Sequence, residues 1–263
     1  MSTIQTRDHE GGVRLLTLDR PPANAIDETL LGDLLAAIER ARADDAVRAV
    51  VLTGAGAFFC GGFDLASARR DEAATARLNV LYRDAHLALL TLPKPTLAMV
   101  NGHATAGGFV LALACDYRLG RDGDYKVGLN EVAIGASYPL VAHEIVALRL
   151  PHARAAEVML GAALYPAGQA TRLGLVDELL PDERFAATVL RRAARMGGFP
   201  RDAYAHAKAR LLAAAVARVR AETPAEAAAA SAIWSTPESR AARKAQREKI
   251  GIRKPQMNTE NHR

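Results

Sequence analysis

Two apolar runs, typical of strands buried on both faces, constrain the fold of this chain most. RAVVLT covers residues 48–53 and TLAMV covers residues 96–100. Such strands lie inside a sheet whose two faces are both covered by helices. Between the runs, residues 72–91 place Leu78 and Leu81 on one side at helical spacing. This alternation of strand and helix predicts an α/β architecture.

The ends of the chain extend this pattern. Residues 13–18 (VRLLTL) predict a strand, and Asp27 is the expected N-cap of the helix that follows. From about residue 184 onward the chain favours helix, and the alanine-rich residues 212–232 do so by propensity. A length of 263 residues allows one large domain or a domain with an appendage. We expect the helical C-terminal stretch to dock on the core or on a neighbouring subunit.

Charge narrows the classes of partner. The net charge is +5, from 34 basic and 29 acidic residues. Basic residues cluster near the C-terminal end of the sequence. This cluster indicates either a solvated helix face followed by a tail or a contact to phosphate groups. Nucleic-acid binding is disfavoured because only 5% of the residues are aromatic and none interleave with the basic ones. The cluster comprises Arg240, Arg243, Lys244, Arg247, Lys249, Arg253 and Lys254.

Cysteine usage and the N-terminal residues indicate a reduced compartment. Cys60 and Cys115 do not form a CxxC pair, so neither a zinc site nor a disulfide framework is predicted. The first residues, MSTIQTRDHEGG, lack the apolar segment of a signal peptide. No run of about 18 apolar residues predicts a membrane span. We expect a cytoplasmic protein without membrane partners.

Three segments combine glycine or a lone carboxylate with apolar surroundings. The first is FCGGFDL, residues 59–65. Gly61 and Gly62 allow backbone conformations that a Cβ atom forbids, and they let another chain or a ligand approach closely. On its own, such a loop after a strand indicates only a turn.

The second segment is NGHATAGGFVLAL, residues 101–113. Gly107 and Gly108 open a stretch that is apolar all round, which predicts a buried helix. The first N–H groups of a helix have no partner within it, and they stabilise a partial negative charge. Close packing of helix against strand is the other reading of these glycines.

The third segment is VGLNEVAIG, residues 127–135, where Glu131 is the one charged residue. An unpaired carboxylate in apolar surroundings costs free energy unless it has a function. Burial would raise its pKa toward the range useful for proton transfer. A loop residue or an ion-pair partner is the alternative.

Taken together, these segments resemble the crotonase, or enoyl-CoA hydratase/isomerase, superfamily over nearly the whole chain. The resemblance rests on the order and spacing of LDRPPANAID, AFFCGGFDL, PKPTLAMVNGHATAGG, ACDYRL and GLNEVAIG. It implies a crotonase (ClpP-like) spiral of ββα units with a helical C-terminal region. The implied division is a core with the acyl-CoA site at 1–195, a trimerisation region at 196–250 and a flexible tail at 251–263. A homotrimer or a dimer of trimers is the implied assembly.

The resemblance also assigns roles. The backbone N–H groups of Phe63 and Gly107 would form an oxyanion hole for the thioester oxygen of an acyl-CoA, and Glu131 would be the catalytic acid/base. No metal or cofactor is implied, since coenzyme A is part of the substrate. The residues expected to contact the substrate are Ala23, Ala25, Gly61, Asp64, Leu65, Gly108 and Val110.

One departure from the family pattern favours a particular reaction. Family hydratases carry a first glutamate at the position of Val110, and this chain keeps only the second, Glu131. Family isomerases that convert 3-enoyl-CoA to 2-enoyl-CoA also keep only that one. The resemblance therefore favours an isomerase. Hydration or another crotonase reaction on the same scaffold stays open, as does a non-catalytic acyl-CoA- or RNA-binding relative.

Four further polar residues have plain structural readings. His103 is expected to be a packed or capping residue, and His143 and Asp116 to be structural ones. Glu144 lies in LVAHEIVALRL, which predicts a helix. A role for Glu144 as a second acid is the less favoured reading.

Overall fold

The computed structural model describes residues 2–64 and 72–249. Its strands form two sheets. In chain order they are β1 (Ile4–His9), β2 (Val13–Leu18), β3 (Ala49–Gly54), β4 (Phe58–Cys60), β5 (Thr96–Val100), β6 (His103–Thr105), β7 (Tyr117–Arg121), β8 (Lys126–Gly128), β9 (Leu164–Pro166) and β10 (Glu178–Leu180).

Helices follow or cover these strands. They are α1 (Glu28–Ala43), α2 (Glu72–Leu90), α3 (Gly107–Ala114), α4 (Leu140–Arg149), α5 (His152–Gly161), α6 (Ala167–Arg172), α7 (Asp182–Gly197), α8 (Arg201–Ala221), α9 (Pro224–Ile233) and α10 (Pro237–Lys249). Asp27 caps α1 as expected, because its side chain accepts a hydrogen bond of 2.8 Å from the Leu30 N–H. None of the described helices is both long and apolar enough to cross a bilayer.

The larger sheet has the strand order β1-β2-β3-β5-β7-β10, and it is parallel except for the β1–β2 pair. Strands β3 and β5 are buried at every residue, as their sequences predict. Side chains such as Val50 and Leu52 face α1, α2 and α3, whereas Val51 and Leu97 face α7. The sheet is thus covered by helices on both faces.

The smaller sheet, β4-β6-β8-β9, was not predicted. Each of its strands has only three residues, too few to show the alternation that identifies a strand. Strands β4, β6 and β8 are parallel, and β9 is antiparallel to β8. This sheet carries the three segments singled out by the sequence.

The C-terminal helices differ from expectation at one point. The alanine-rich residues 212–232 are largely helical as predicted, but they are divided at residues 222–223 between α8 and α9. Thr223 caps α9 in a capping box with Glu226, and Pro224 follows at the first helical position. The cap and the proline outweigh the helix propensity of alanine. The predicted loose tail, 251–263, lies outside the described residues.

Candidate functional site

The smaller sheet brings the three segments to one edge. Strand β4 ends at Cys60, β6 ends at Thr105 and β8 ends at Gly128. Because the three strands are parallel, their carboxyl ends share an edge of the sheet. Phe63, Gly107 and Glu131 each follow one of these ends by two or three residues.

The backbone of Phe63 forms an isolated parallel bridge with Ile26. The Ile26 N–H donates to the Gly62 carbonyl at 2.7 Å, and the Asp64 N–H donates to the Ile26 carbonyl at 3.0 Å. These bonds use the neighbours of Phe63, so the N–H of Phe63 itself points away from Ile26. It is therefore available to a group on the opposite side.

Helix α3 begins close to the same loop. Gly62 has a φ of +81°, and a Cβ atom there would lie 2.8 Å from the Ala106 Cβ and 3.3 Å from the Gly107 nitrogen. Ala106, the N-cap of α3, has a φ of 53° that is unusual for a residue with a side chain. Backbone strain of this kind clusters at functional sites. It turns the chain so that the Gly107 N–H begins the helix beside the Phe63 loop.

Tyr82 on α2 stacks on Phe63, lies next to Gly107 and interacts electrostatically with Glu131. Its ring stacks on the Phe63 ring with centroids 5.0 Å apart. A Cβ atom on Gly107 would lie 3.3 Å from Tyr82 Cε2 and 3.4 Å from its hydroxyl oxygen. Burial raises the pKa of Tyr82 well above its usual value, and the negative charge of Glu131 raises it further. Phe63 and Gly107 therefore lie beside the Tyr82 ring, and the charge of Glu131 acts on its hydroxyl.

Glu131 is a buried carboxyl with unused bonding capacity. Glu131 is only 7% exposed, and this burial raises the pKa of its carboxyl from 4.5 to about 7. The backbone N–H groups of Asn130 and Glu131 and the hydroxyl of Tyr138 oppose that rise. Among the described residues, Glu131 Oε2 has no hydrogen-bond partner. Such a group can accept and return a proton near neutral pH.

The N-terminal loop lies against the Phe63 loop. The Gly61 N–H donates to the Ala23 carbonyl at 2.9 Å. Arg20 pairs with Asp64 at 2.7 Å and donates to the Ala25 carbonyl at 3.2 Å. Four of the residues predicted to contact substrate, Ala23, Ala25, Gly61 and Asp64, are thus held together.

The other predicted contact residues are placed differently. A Cβ atom on Gly108 would lie 2.1 Å from the Cys60 carbonyl oxygen, so this glycine lets α3 pack directly on β4. Val110 is fully buried in α3. Leu65 lies outside the described residues.

Three of the remaining polar candidates, Glu144, His103 and Asp116, have structural partners. Arg218 donates to both carboxyl oxygens of Glu144 at 2.8 and 2.6 Å, which occupies that carboxyl. His103 accepts a hydrogen bond of 3.2 Å from the Lys126 N–H. Asp116 forms ion pairs with Arg149 of α4 and Lys208 of α8. His143 is exposed.

Sequence reasoning did not identify the part of the C-terminal segment that reaches this site. Trp234 packs its ring edge-on against Phe63, with centroids 6.0 Å apart. Arg243 on α10 lies 4.9 Å over the Trp234 ring and donates to the Trp234 and Gly135 carbonyls. Asn79 on α2 donates to Ser231 on α9 at 2.8 Å. The C-terminal segment therefore packs against the core of its own chain.

Tyr82 and Tyr138 were also missed, because no motif surrounds either residue.

A cavity of about 420 Å³ lies between the end of α2 and α8, and none of the site residues lines it.

Comparisons with known proteins identify relatives that match most of this chain. A sequence model described as enoyl-CoA hydratase/isomerase matches residues 8–258. A probable enoyl-CoA hydratase of Mycobacterium avium is 33% identical over 212 residues, which cover 78% of this chain and 80% of that protein. Human mitochondrial enoyl-CoA delta isomerase 1 is 28% identical over 215 residues, 81% of this chain and 71% of that one.

A solved structure extends the similarity to three dimensions. The crystal structure of human mitochondrial delta3-delta2-enoyl-CoA isomerase superposes with a TM-score of 0.90 at 25% identity, covering 95% of this chain and 98% of that chain. This likeness confirms the predicted α/β fold, with its two mixed sheets and C-terminal helices. The similar proteins include hydratases and isomerases alike.

Proposed function

This chain belongs to the enoyl-CoA hydratase/isomerase, or crotonase, family, and we propose that it converts 3-enoyl-CoA to 2-enoyl-CoA with Glu131 as its single acid/base. Membership makes it a crotonase-type acyl-CoA enzyme, either a hydratase or an isomerase. The observation that carries the choice is one buried, partly unpaired carboxyl, with the apolar Val110 where hydratases have a second carboxyl.

The first step is removal of a proton from C2 of the substrate by Glu131. The electrons of that C–H bond move toward the thioester carbonyl, whose oxygen becomes negative. The N–H groups of Phe63 and Gly107 donate hydrogen bonds to this oxygen. Each such donor contributes roughly 3–4 kcal/mol to the transition state. The product of this step is an enolate conjugated with the original double bond.

The second step returns the same proton to C4. The C2–C3 bond becomes double, the thioester carbonyl reforms and Glu131 is ionised again. One carboxyl suffices because the proton leaves and returns on one face of the acyl chain. Hydration would also require a water molecule held and activated opposite the double bond, and Val110 offers no group for that.

Substrate contacts and assembly complete the proposal. We also propose that the chain assembles as a homotrimer or a dimer of trimers, with region 196–250 making the contacts between cores of residues 1–195. The proposed location is the cytoplasm. The acyl-CoA would pass along Ala23, Ala25, Gly61, Asp64, Leu65, Gly108 and Val110.

An assay with two substrates tests the reaction. Purified protein is mixed with 3-enoyl-CoA or with 2-enoyl-CoA, and the absorbance of the conjugated enoyl thioester is followed. We expect that absorbance to rise with the first substrate and to change little with the second. Hydration is the second candidate, because a 33% identical relative is described as a probable hydratase. Faster loss of absorbance from 2-enoyl-CoA than gain from 3-enoyl-CoA would establish it instead.

The pH dependence of the isomerase reaction is a further prediction. Glu131 acts as a base only when ionised, and its pKa is raised to about 7 by burial. We therefore expect kcat/KM to rise with pH through an apparent pKa near 7 and to level off above it. Initial rates measured from pH 5 to 9 check this. A flat profile over that range, in protein that stays folded, would contradict the assignment of Glu131.

The position of the missing carboxyl gives another prediction. Val110 lies one helical turn after Gly107 in α3. Val110→Glu is expected to raise the rate of 2-enoyl-CoA hydration by about tenfold or more, because a second acid/base can activate water. Val110→Gln has a similar shape without the ionisable group and should give no such gain. Equal hydration by both variants, each shown to be folded by circular dichroism, would contradict this account.

A further inference from the structure

We propose that Arg243 is a positioning residue that ties the Phe63 loop to the turn after Glu131, and so sets the Phe63 amide and the Glu131 carboxyl relative to one another. The proposal rests on the proposed function, because it takes the Phe63 N–H as an oxyanion donor and Glu131 as the base. It also gives a role to one member of the late basic cluster, which the proposed reaction does not use.

The Arg243 guanidinium bridges two backbone carbonyls. Its Nη1 group donates to the Gly135 carbonyl at 3.3 Å, and its Nη2 group donates to the Trp234 carbonyl. Trp234 follows α9, and Gly135 follows a short 3-10 turn, Val132–Ile134. The last carbonyls of a helical segment have no partner within it, and a cation beside them is stabilised. The planar fork of an arginine can bond two such groups at once.

Trp234 joins this bridge to the Phe63 loop. The guanidinium carbon of Arg243 lies 4.9 Å from the centroid of the Trp234 ring, which is within the range of a cation–π contact. The same ring packs on Phe63 in a T-shaped arrangement with centroids 6.0 Å apart, and Phe63 stacks on Tyr82 at 5.0 Å. Both ring pairs have separations typical of favourable aromatic contacts. The Phe63 side chain is thus held between α2 and the residue that Arg243 fixes.

Gly135 joins the bridge to Glu131. The Ile134 and Ala136 N–H groups both donate to the Glu131 carbonyl, at 3.0 and 2.8 Å, so Gly135 lies within a turn that closes on Glu131. Gly135 has a φ of +69°, and a Cβ atom there would lie 2.5 Å from the Ser239 Cα. Helix α10 therefore lies directly on this turn. A shift of α10 would move the backbone of Glu131.

Two neighbouring basic residues of α10 have other partners. Arg240 donates to the Ser235 carbonyl, just before the same helix. Lys244 pairs with Glu248 within the helix, at 3.9 Å. Loss of Arg243 therefore removes a bridge that neither of these bonds replaces. Arg240 is the matched control, because it is an arginine of the same helix that also donates to a backbone carbonyl.

Arg243→Met tests the inference, because methionine keeps an unbranched side chain and removes the charge and the donors. A displacement of about 1 Å at a catalytic group can lower a rate by roughly 100-fold, so we expect kcat to fall about 10- to 100-fold, with KM within about threefold of the wild type. Rates are measured with whichever of 3-enoyl-CoA and 2-enoyl-CoA the protein converts. Arg243→Lys keeps the cation without the fork and should recover part of the loss.

Arg240→Met separates this effect from a general loosening of α10. Its kcat should stay within about twofold of the wild type. Equal losses of kcat in the two methionine variants would overturn the inference. A raised KM with unchanged kcat in Arg243→Met would also overturn it, because that result assigns Arg243 to substrate binding, such as a contact with the phosphates of coenzyme A.

A second measurement does not depend on activity. Labelling phenylalanine with ¹⁵N gives one backbone amide signal for each of the six phenylalanines, and Phe63→Leu identifies the signal of Phe63. We expect that signal to shift in Arg243→Met and to stay in place in Arg240→Met. An unchanged Phe63 signal in Arg243→Met would overturn the inference even where kcat falls. A shifted signal in a protein that does not isomerise 3-enoyl-CoA would support the bridge and reject the proposed function.

Discussion

Glu131→Gln is expected to lower kcat for the isomerisation by about 10³-fold, because glutamine cannot accept the C2 proton. Binding of the acyl-CoA should change little, since the amides of Phe63 and Gly107 and the N-terminal loop are untouched. Stopped-flow or steady-state rates with 3-enoyl-CoA, together with a dissociation constant for a saturated acyl-CoA, measure both quantities.

Loss of fold will not explain that result. The pKa of Glu131 is raised from 4.5 to about 7, so its unfolded form ionises at lower pH than its folded form. Stability is therefore lost as pH rises from about 4.5 to 7, and the full cost persists at pH 8. Removing the charge relieves up to about 3 kcal/mol. Glu131→Gln should thus be at least as stable as the wild type at pH 8.

Glu144→Gln is the matched control. Glu144 is as buried as Glu131, at 6% against 7% exposed, but Arg218 occupies both of its oxygens. We expect this variant to lose stability, because it breaks an ion pair, while its kcat stays within about threefold of the wild type. Similar losses of kcat in the two variants would remove the special role of Glu131.

Gly62→Ala is expected to lower kcat by about 100-fold or more. Its Cβ atom would lie 2.8 Å from the Ala106 Cβ and 2.9 Å from the Thr105 carbonyl oxygen, on a backbone with φ of +81°. These contacts push the Phe63 loop away from the start of α3 and separate the two amide donors. Loss of one oxyanion donor typically reduces kcat by 10²–10³.

Gly56→Ala separates this effect from backbone strain. Gly56 has a similar φ of +70°, yet nothing lies within 4 Å of an added Cβ atom. Both variants bear the cost of a side chain at positive φ, and both should melt at a lower temperature than the wild type. Only Gly62→Ala should lose most of its kcat. Comparable kcat values for the two variants would show that the Phe63 amide is not positioned in this way.

The sequence predicts strands β2, β3 and β5 of the larger sheet, but neither its edge strand β1 nor any strand of the smaller sheet. Residues 48–53 and 96–100 are apolar throughout because both faces of β3 and β5 are covered. Strands β4 and β6 have three residues each and owe their place to pairing with neighbours far along the chain. Periodicity within a segment carries no information about such pairing.

The same division holds for the site. Phe63, Gly107 and Glu131 were identified because glycines and a lone carboxyl leave local patterns that match a known family. Tyr82 reaches the site through its contact with a residue on another element, so its sequence surroundings do not mark it. The docking of Trp234 on Phe63 likewise joins residues far apart in the chain.

A crystal structure with an unreactive acyl-CoA thioester bound tests the central claim most directly. The account predicts that the thioester oxygen lies about 2.7–3.1 Å from the backbone nitrogens of both Phe63 and Gly107. It also predicts that C2 and C4 of the acyl chain face Oε2 of Glu131. A thioester oxygen bonded to neither amide, or a Glu131 carboxyl turned away from C2, would contradict it.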